Sequence, residues 1–406
     1  MSKKSVVVAQ LGARNHYITA RSLYWAGILK KLYTDMCANK GVGNFANLIP
    51  RKLMPKTLYR LKNRIPLDIP VDLITTFDWI GINYYLENFL LKNTSIREEA
   101  HYRASKRFNA NIIKHGLEDV STLYNFSNEG LDLTKYASNL GIWTILEQTG
   151  IPAKKTNDIL AQEFDRYPGW SKVSFESMKY SSEWIDRCSE EWKYANTIVC
   201  ASQYTKQALI DCGVPNNKCV VVPYGFDYGN SAVTKVAHDK LRVLVVGRVS
   251  LLKGAPYVLE IAKILSGEAI VRMVGEIEVS DDAVKILRPW VHIVGPVSRG
   301  HISEHFNWAD VLLFPTLTDG FGIVILEAFA AGIPVIATTN SAAPDVIRHG
   351  IDGFITEPRD INGMVHCLSL LSGNPQLLKD MSLSVKKRIS EFSLESYQKK
   401  LLPIIR

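Results

Sequence analysis

Two doubly wound parallel α/β sheets in succession are the fold class this sequence predicts, and three observations carry the prediction. At 406 residues the chain is too long for one ordinary hydrophobic core, so two domains are expected. In both halves, short apolar runs alternate with stretches of helical spacing, the pattern of βαβ units. Between the halves, Pro223-Tyr224-Gly225-Phe226-Asp227 breaks the alternation, and the polar stretch 228–240 reads as a linker.

In chain order, residues 5–11 make the first strand. The opening MSKKSVVVAQLG has a basic start but too short an apolar run for a signal peptide. A helix is expected from His16 to Leu29. The intervening Gly12-Ala13-Arg14-Asn15 lies at the carboxyl end of a parallel strand, where open α/β sheets bind ligands. It lacks the full G-x-G-x-x-G pattern, which argues against a dinucleotide site. Arg14 and His16 are candidates to meet a substrate there; a surface arginine and a capping histidine are the alternatives. Residues 47–64 carry Arg51, Lys52, Lys56, Arg60, Lys62 and Arg64 with no acid, interleaved with Leu53, Met54, Leu58, Tyr59 and Leu61. Such a basic amphipathic segment suits an anionic membrane surface, or else a solvated helix face interrupted by Pro50 and Pro55. Further strands are expected at Val71–Thr75, Ser121–Phe126, Ile142–Leu146, Thr197–Ala201 and Cys219–Val222. After the linker they resume at Arg242–Val246, Ala269–Val274, Val291–Val294, Val311–Phe314 and Val335–Ala337. The tail from Met381 to Arg406 is helical in pattern.

Residues 310–338 are the most informative stretch. The run Val311–Phe314 stops at Pro315, a Gly-Phe-Gly step opens a helical segment, and Gly332 and Pro334 end it before Val335. Asp319 in the turn and Glu327 in the helix stand eight residues apart. A glycine-rich helix start offers free N–H groups to a phosphate, while the two carboxylates suit hydroxyls. Phosphate on the amides and hydroxyls on the acids describes a sugar nucleotide.

Composition narrows the classes. The chain is 47% hydrophobic, without an apolar run near the roughly 20 residues that span a bilayer. Six cysteines, at 37, 188, 200, 212, 219 and 367, form no Cys-x-x-Cys pair and read as free thiols of a reducing cytosol. Residues 1–227 hold 29 of the 48 Lys and Arg but 22 of the 40 Asp and Glu. The first half is therefore basic and the second nearly neutral, pointing to an acidic partner for the first. No nucleic-acid partner is expected.

These motifs together resemble the retaining glycosyltransferases of family 4, the group 1 transferases, which have the GT-B fold of two Rossmann-like domains facing across a cleft. The family's E-x(7)-E motif is matched by Asp319 and Glu327, and its G-R-x-x-x-x-K-G element by Gly247, Arg248, Lys253 and Gly254. P-Y-G-F-D at 223–227 resembles the family's P-N-G-V-D, with Tyr224 in place of asparagine. The opening L-G-A-R-N-H-Y is similar to a subgroup of bacterial surface-polysaccharide transferases.

The resemblance implies that residues 1–227 bind the acceptor, that 228–384 bind the donor, and that a helix near 385–406 packs back on the first domain. It further implies that Arg248 and Lys253 hold the donor diphosphate and stabilise the leaving group. Glu327 would accept from the ribose hydroxyls, and Asp319 with the Gly320, Phe321 and Gly322 backbone would hold the transferred sugar and phosphate; an N-cap aspartate and a solvated helix glutamate are the alternatives. Gly12 belongs to the same donor-binding set. No metal or other cofactor is expected. Many members carry a histidine after the strand near 142–147; here Glu147 or Gln148 stands there, either in that role or both structural and capping the next helix, and Glu147 is the candidate. The expected activity is hexosyl transfer from a nucleotide sugar to a glycan or lipid-diphosphate-linked acceptor, in the cytoplasm or on the inner face of the membrane. A GT-B nucleotide-sugar epimerase and a catalytically silent sugar-nucleotide-binding subunit are the alternatives.

Overall fold

The computed structural model describes residues 4–44, 61–62, 64–90, 94–227, 238–298 and 300–406. It contains two wholly parallel sheets. The first has seven strands in the order β3-β2-β1-β4-β5-β6-β7: β1 Val6–Gln10, β2 Leu29–Thr34, β3 Ile74–Thr76, β4 Thr122–Phe126, β5 Trp143–Gln148, β6 Thr197–Cys200 and β7 Cys219–Val221. The second has six in the order β10-β9-β8-β11-β12-β13: β8 Leu241–Val246, β9 Ala269–Val274, β10 Val291–Gly295, β11 Val311–Phe314, β12 Val335–Thr338 and β13 Gly353–Thr356. Both orders are doubly wound.

Both faces of each sheet are buried, which explains strands that read as continuous apolar runs. In β1, Val6 and Val8 join one core cluster and Val7 and Ala9 the opposite one. In β8, Val243 and Val245 face away from Leu244 in the same fashion. The last helix, α6 (Leu394–Leu401), lies on the first sheet's core. Tyr397 and Leu401 pack with Ile18 and Ile145, and the Gln398 amide donates to the Ser22 carbonyl at 2.8 Å. Among the described residues no helix is long and apolar enough to cross a membrane.

The structure departs from the sequence reading in three places. The first helix, α1, is Ile18–Trp25, and Leu29 already belongs to β2. β2 was not anticipated, because Lys30 and Lys31 interrupt its apolar pattern; Lys31 reaches the Asp72 carbonyl instead of the core. Likewise β13, which opens on a glycine, was not anticipated. Of the basic segment 47–64, Arg51, Lys52, Lys56 and Arg60 lie outside the described residues.

Candidate active site

In a doubly wound sheet, ligands bind beyond the carboxyl ends of the strands where the strand order reverses. The second sheet reverses between β8 and β11, so the loops after these strands, 247–254 and 315–322, face each other there. Lys253 comes from the first loop and Asp319 from the second. The Lys253 ammonium donates to Asp319 Oδ2 at 2.6 Å, to the Thr318 carbonyl at 3.0 Å and to Thr316 Oγ1 at 3.3 Å. Gly254 makes the approach possible: its φ is 77°, and a Cβ there would stand 2.3 Å from the Pro315 carbonyl oxygen. It caps α4 (Ala255–Ile264) in the left-handed conformation.

Asp319 Oδ1 accepts from the Gly322 amide at 2.7 Å and the Phe321 amide at 3.1 Å. This corrects the expectation that those amides stand open to a phosphate: the short aspartate side chain folds back on its own turn and takes both. Burial pushes the Asp319 carboxyl up, but Lys253 and the two amides outweigh it and hold the group below its ordinary value. The turn opens α5 (Val324–Ala330), on which Glu327 sits in the first turn.

Glu327 lines a cleft of about 560 Å³ between the two sheets. The facing wall contributes Asn15, His16, Arg21 and Lys62, so the structure brings Glu327 and His16 to one space. Lys253, Asp319 and Arg248 are not part of that cleft's lining. Arg248 has 58% of its side chain exposed and pairs with Glu278 at 3.1 Å. It also faces the first domain, near enough to Tyr180 to draw its phenol pKa down against the effect of burial.

The first sheet reverses between β1 and β4. Here Gly12 donates its amide to Asp35 Oδ1 at 2.9 Å, and Arg14 pairs with Glu129 at 3.2 Å. Arg14 is thus committed to a buried partner and does not line the cleft described above. Asn15, His16 and Tyr17 take φ values of 41°, 51° and 59° in succession. For non-glycine residues this is a costly conformation, concentrated where the loop meets the cleft. The expected helix start at His16 is replaced by this turn.

Glu147 does not reach open solvent. It is 2% exposed, on β5, and accepts from Tyr124 Oη at 2.6 Å, Tyr224 Oη at 2.9 Å and Thr19 Oγ1 at 3.4 Å. Burial raises its carboxyl above the ordinary value despite those bonds. It is the centre of a buried hydroxyl network, not a group on the cleft surface. Gln148 is likewise enclosed, accepting from Nε1 of Trp192 on α2 (Ser182–Tyr194) at 3.0 Å.

Three contributors escaped the sequence reading. Tyr224 joins Glu147 to the glycine turn, its ring lying 5.0 Å from that of Phe321; its departure from the family's asparagine was the available signal. Ser202 and Thr205, at the start of α3 (Gln203–Asp211), donate to the Gly320 carbonyl at 2.6 and 2.9 Å. Nothing in the local sequence marks that pairing. Among the described residues, no three His, Cys, Asp or Glu side chains cluster as metal ligands.

Residues 240–374 match the family described as glycosyl transferases group 1. The amylovoran biosynthesis glycosyltransferase AmsK of Erwinia amylovora is 25% identical over 221 residues, covering 50% of this chain and 54% of that protein. An uncharacterized 41.2 kDa protein in the cps region of Klebsiella pneumoniae is 28% identical over 186 residues, covering 43% and 52%. The match therefore spans about half the length of these relatives. Among solved structures, Anabaena Alr3699/HepE in complex with UDP and glucose is similar with a TM-score of 0.61 at 14% identity, over 98% of both chains. The lipopolysaccharide outer core galactosyltransferase WaaB, in its apo form, gives 0.58 at 17%, over 98% of this chain and 97% of that one. At such identity the likeness is one of fold, and the fold is GT-B.

Proposed function

We propose that this chain, whose residues 240–374 match the group 1 glycosyl transferases, moves a sugar with retention of configuration from a nucleotide donor to a growing cell-surface glycan. The observation that carries the reading is the meeting of Lys253 and Asp319 at the switch point of the matched domain. Lys253 supplies a cation for the donor diphosphate, with Arg248 at the rim. Asp319, fixed by two amides and an ammonium, has lone pairs left for a sugar hydroxyl, and Glu327 accepts from the ribose. Relatives and neighbours support the substrate class: AmsK is named for amylovoran biosynthesis, and Alr3699/HepE was captured with UDP and glucose. A lipid-diphosphate acceptor suits a first domain whose cleft wall carries Arg21 and Lys62.

The chemistry is a front-face substitution without a cofactor. As the bond from the anomeric carbon to the donor phosphate breaks, the acceptor oxygen bonds to the same face, and its proton passes to the departing phosphate oxygen. Such a step needs positioning and charge stabilisation instead of a side-chain base. A Glu147 enclosed by three hydroxyls is compatible with that.

Lys253→Ala and Glu327→Ala test the reading. Each is expected to lower both transfer and slow UDP-sugar hydrolysis by on the order of a hundredfold, and Lys253→Ala to abolish the rise in Tm given by UDP. Full activity in either variant overturns the assignment. The basic segment 47–64 is proposed to hold the protein on anionic membrane. Flotation with phosphatidylglycerol liposomes should fail after charge reversal at Arg51, Lys52, Lys56 and Arg60; unchanged flotation rejects the contact.

A further inference from the structure

One excursion of the first domain reaches into the second and meets the loop 247–254 at both its ends. It begins in the helix Ala153–Arg166, which follows β5. The first half of this helix is tied to its own domain: Lys155 pairs with Asp211 at 2.7 Å, and the Asn157 side chain bonds the Tyr180 carbonyl at 2.9 Å and the Tyr180 amide at 2.8 Å. Its last turn is held by the other domain. Glu163 is wholly buried, its Oε2 accepting from Tyr257 Oη at 2.8 Å and its Oε1 from Arg359 Nε at 2.7 Å. Arg359 Nη2 also donates to Gln162 Oε1 at 3.0 Å. Tyr257 stands in the first turn of α4, three residues after Gly254, so Glu163 reaches the end of the loop that carries Lys253.

The chain then runs on to the start of the same loop. Trp170 packs on the second domain's core, and its carbonyl accepts from the Ser280 amide at 2.7 Å. Ser171 bridges to Val279, and the Lys172 amide donates to the Glu278 carbonyl at 3.3 Å. On its other edge the stretch 276–279 holds the loop: the Val249 amide donates to the Glu276 carbonyl at 2.8 Å, and the Val249 carbonyl accepts from the Glu278 amide at 3.0 Å. Arg248 pairs with Glu278 at 3.1 Å. Arg248 and Lys253 therefore stand on a loop held near its start, through 276–279, and just past its end, through Tyr257, by residues 163–172 of the first domain.

Two features set Glu163 apart from a packing contact. A buried ion pair adds little net stability over apolar residues of the same volume, but its directed bonds admit one orientation of the surfaces that carry them. Arg359 takes a φ of 71°, a costly conformation for arginine that persists where its surroundings over-determine it. Here the guanidinium is fixed by Glu163 and Gln162 together.

We propose that Glu163 is a positioning residue for the donor diphosphate: by fixing Tyr257 and Arg359 it clamps the first domain onto α4 and sets where the loop 247–254 presents Arg248 and Lys253. The donor's part in this rests on the transferase reading; the clamp itself does not. Glu163→Gln and the milder Tyr257→Phe, which keeps the ring that packs on Tyr167 with centroids 5.5 Å apart, test it in the full chain. Without ligand, amide exchange over 249–258 should quicken roughly fivefold in both variants, while exchange in β1 and β4 stays as in the native chain. By calorimetry, the Kd of the folded protein for UDP should rise roughly fivefold or more. A merely structural pair would instead lower Tm and quicken exchange in both sheets alike, with the Kd for UDP unchanged. That result, or loop exchange indifferent to both substitutions, overturns the proposal. A native chain that binds no UDP, with loop exchange still answering to the substitutions, faults the transferase reading and upholds the clamp.

Discussion

Asp319 shows how one residue reconciles two demands. Its Oδ1 holds the Phe321 and Gly322 amides and its Oδ2 holds Lys253, so the side chain shapes the turn and fixes the cation together. The D-G-F-G spelling made the turn legible in sequence. That the carboxylate takes the amides itself is the N-cap alternative the sequence left open, and the fold decides for it. Glu147 is the converse case. An acid near the end of β5 was visible, but its partners Tyr124, Tyr224 and Thr19 lie 23, 77 and 128 residues away. Only the fold brings them together, and they enclose the candidate carboxyl away from the cleft surface. Glu147→Gln should therefore lower Tm by several degrees, because the amide keeps one acceptor oxygen but sets its NH2 against a buried hydroxyl, an unmet group costing about 1–3 kcal/mol. Activity per folded molecule should fall less than about tenfold, whereas removal of a true general acid or base costs roughly a hundredfold or more. Donor hydrolysis assayed beside a thermal melt makes the distinction.

At the level of elements, the loops of the two switch points and the contact between them define the site. The strand-turn-helix-strand unit at 310–338 was readable because apolar runs, Pro315 and Gly332 punctuate it. Strands with charged or glycine interruptions, β2 and β13, were not. The docking of the glycine turn on the first domain was invisible too, since it depends on a carbonyl, not on a side-chain type. The Gly320 carbonyl is gripped by Ser202 and Thr205, and the Thr149 carbonyl sits so near that a Cβ on Gly320 would stand 2.4 Å from it. Tyr204 Oη to Thr318 Oγ1 at 3.1 Å and the Gln203 amide to Asp345 at 2.8 Å extend the seam. Gly320→Ala, at a position whose φ does not require glycine, should act on that seam alone. The expected outcome is a loss of about 1–3 kcal/mol in stability, with faster amide exchange at the start of α3. Unchanged exchange there would mean that the turn is not anchored by this contact.

On the scale of the whole molecule, charge and burial couple the site to pH. Glu191 is wholly buried and its carboxylate takes the amides of Asn128 at 2.7 Å and Gly130 at 2.8 Å, holding the loop after β4 beside the Arg14–Glu129 pair. Burial pushes its carboxyl up to about 7 from an ordinary 4.5, with the two amides, Arg187 and Arg14 pulling the other way. In the pH range between those values the folded chain holds a proton that the unfolded chain has released. Its contribution is therefore full below about 4.5 and is lost as pH rises through about 7. The change is on the order of 3 kcal/mol. Glu147, also raised by burial, acts with the same sign. Asp319, held below its ordinary value, acts with the opposite sign only in more acid solution, so it leaves this window clear. Glu129, pushed up to about 8, adds to the same slope, while His101, lowered to about 4 by burial, opposes it. Relative to Glu191→Gln, which has no proton to release, the urea midpoint of the native chain should therefore fall between pH 4.5 and 7. Parallel slopes for the two proteins would show that Glu191 is ionised throughout, and that the loop beside Arg14 is held by a buried charge and not by a neutral acid.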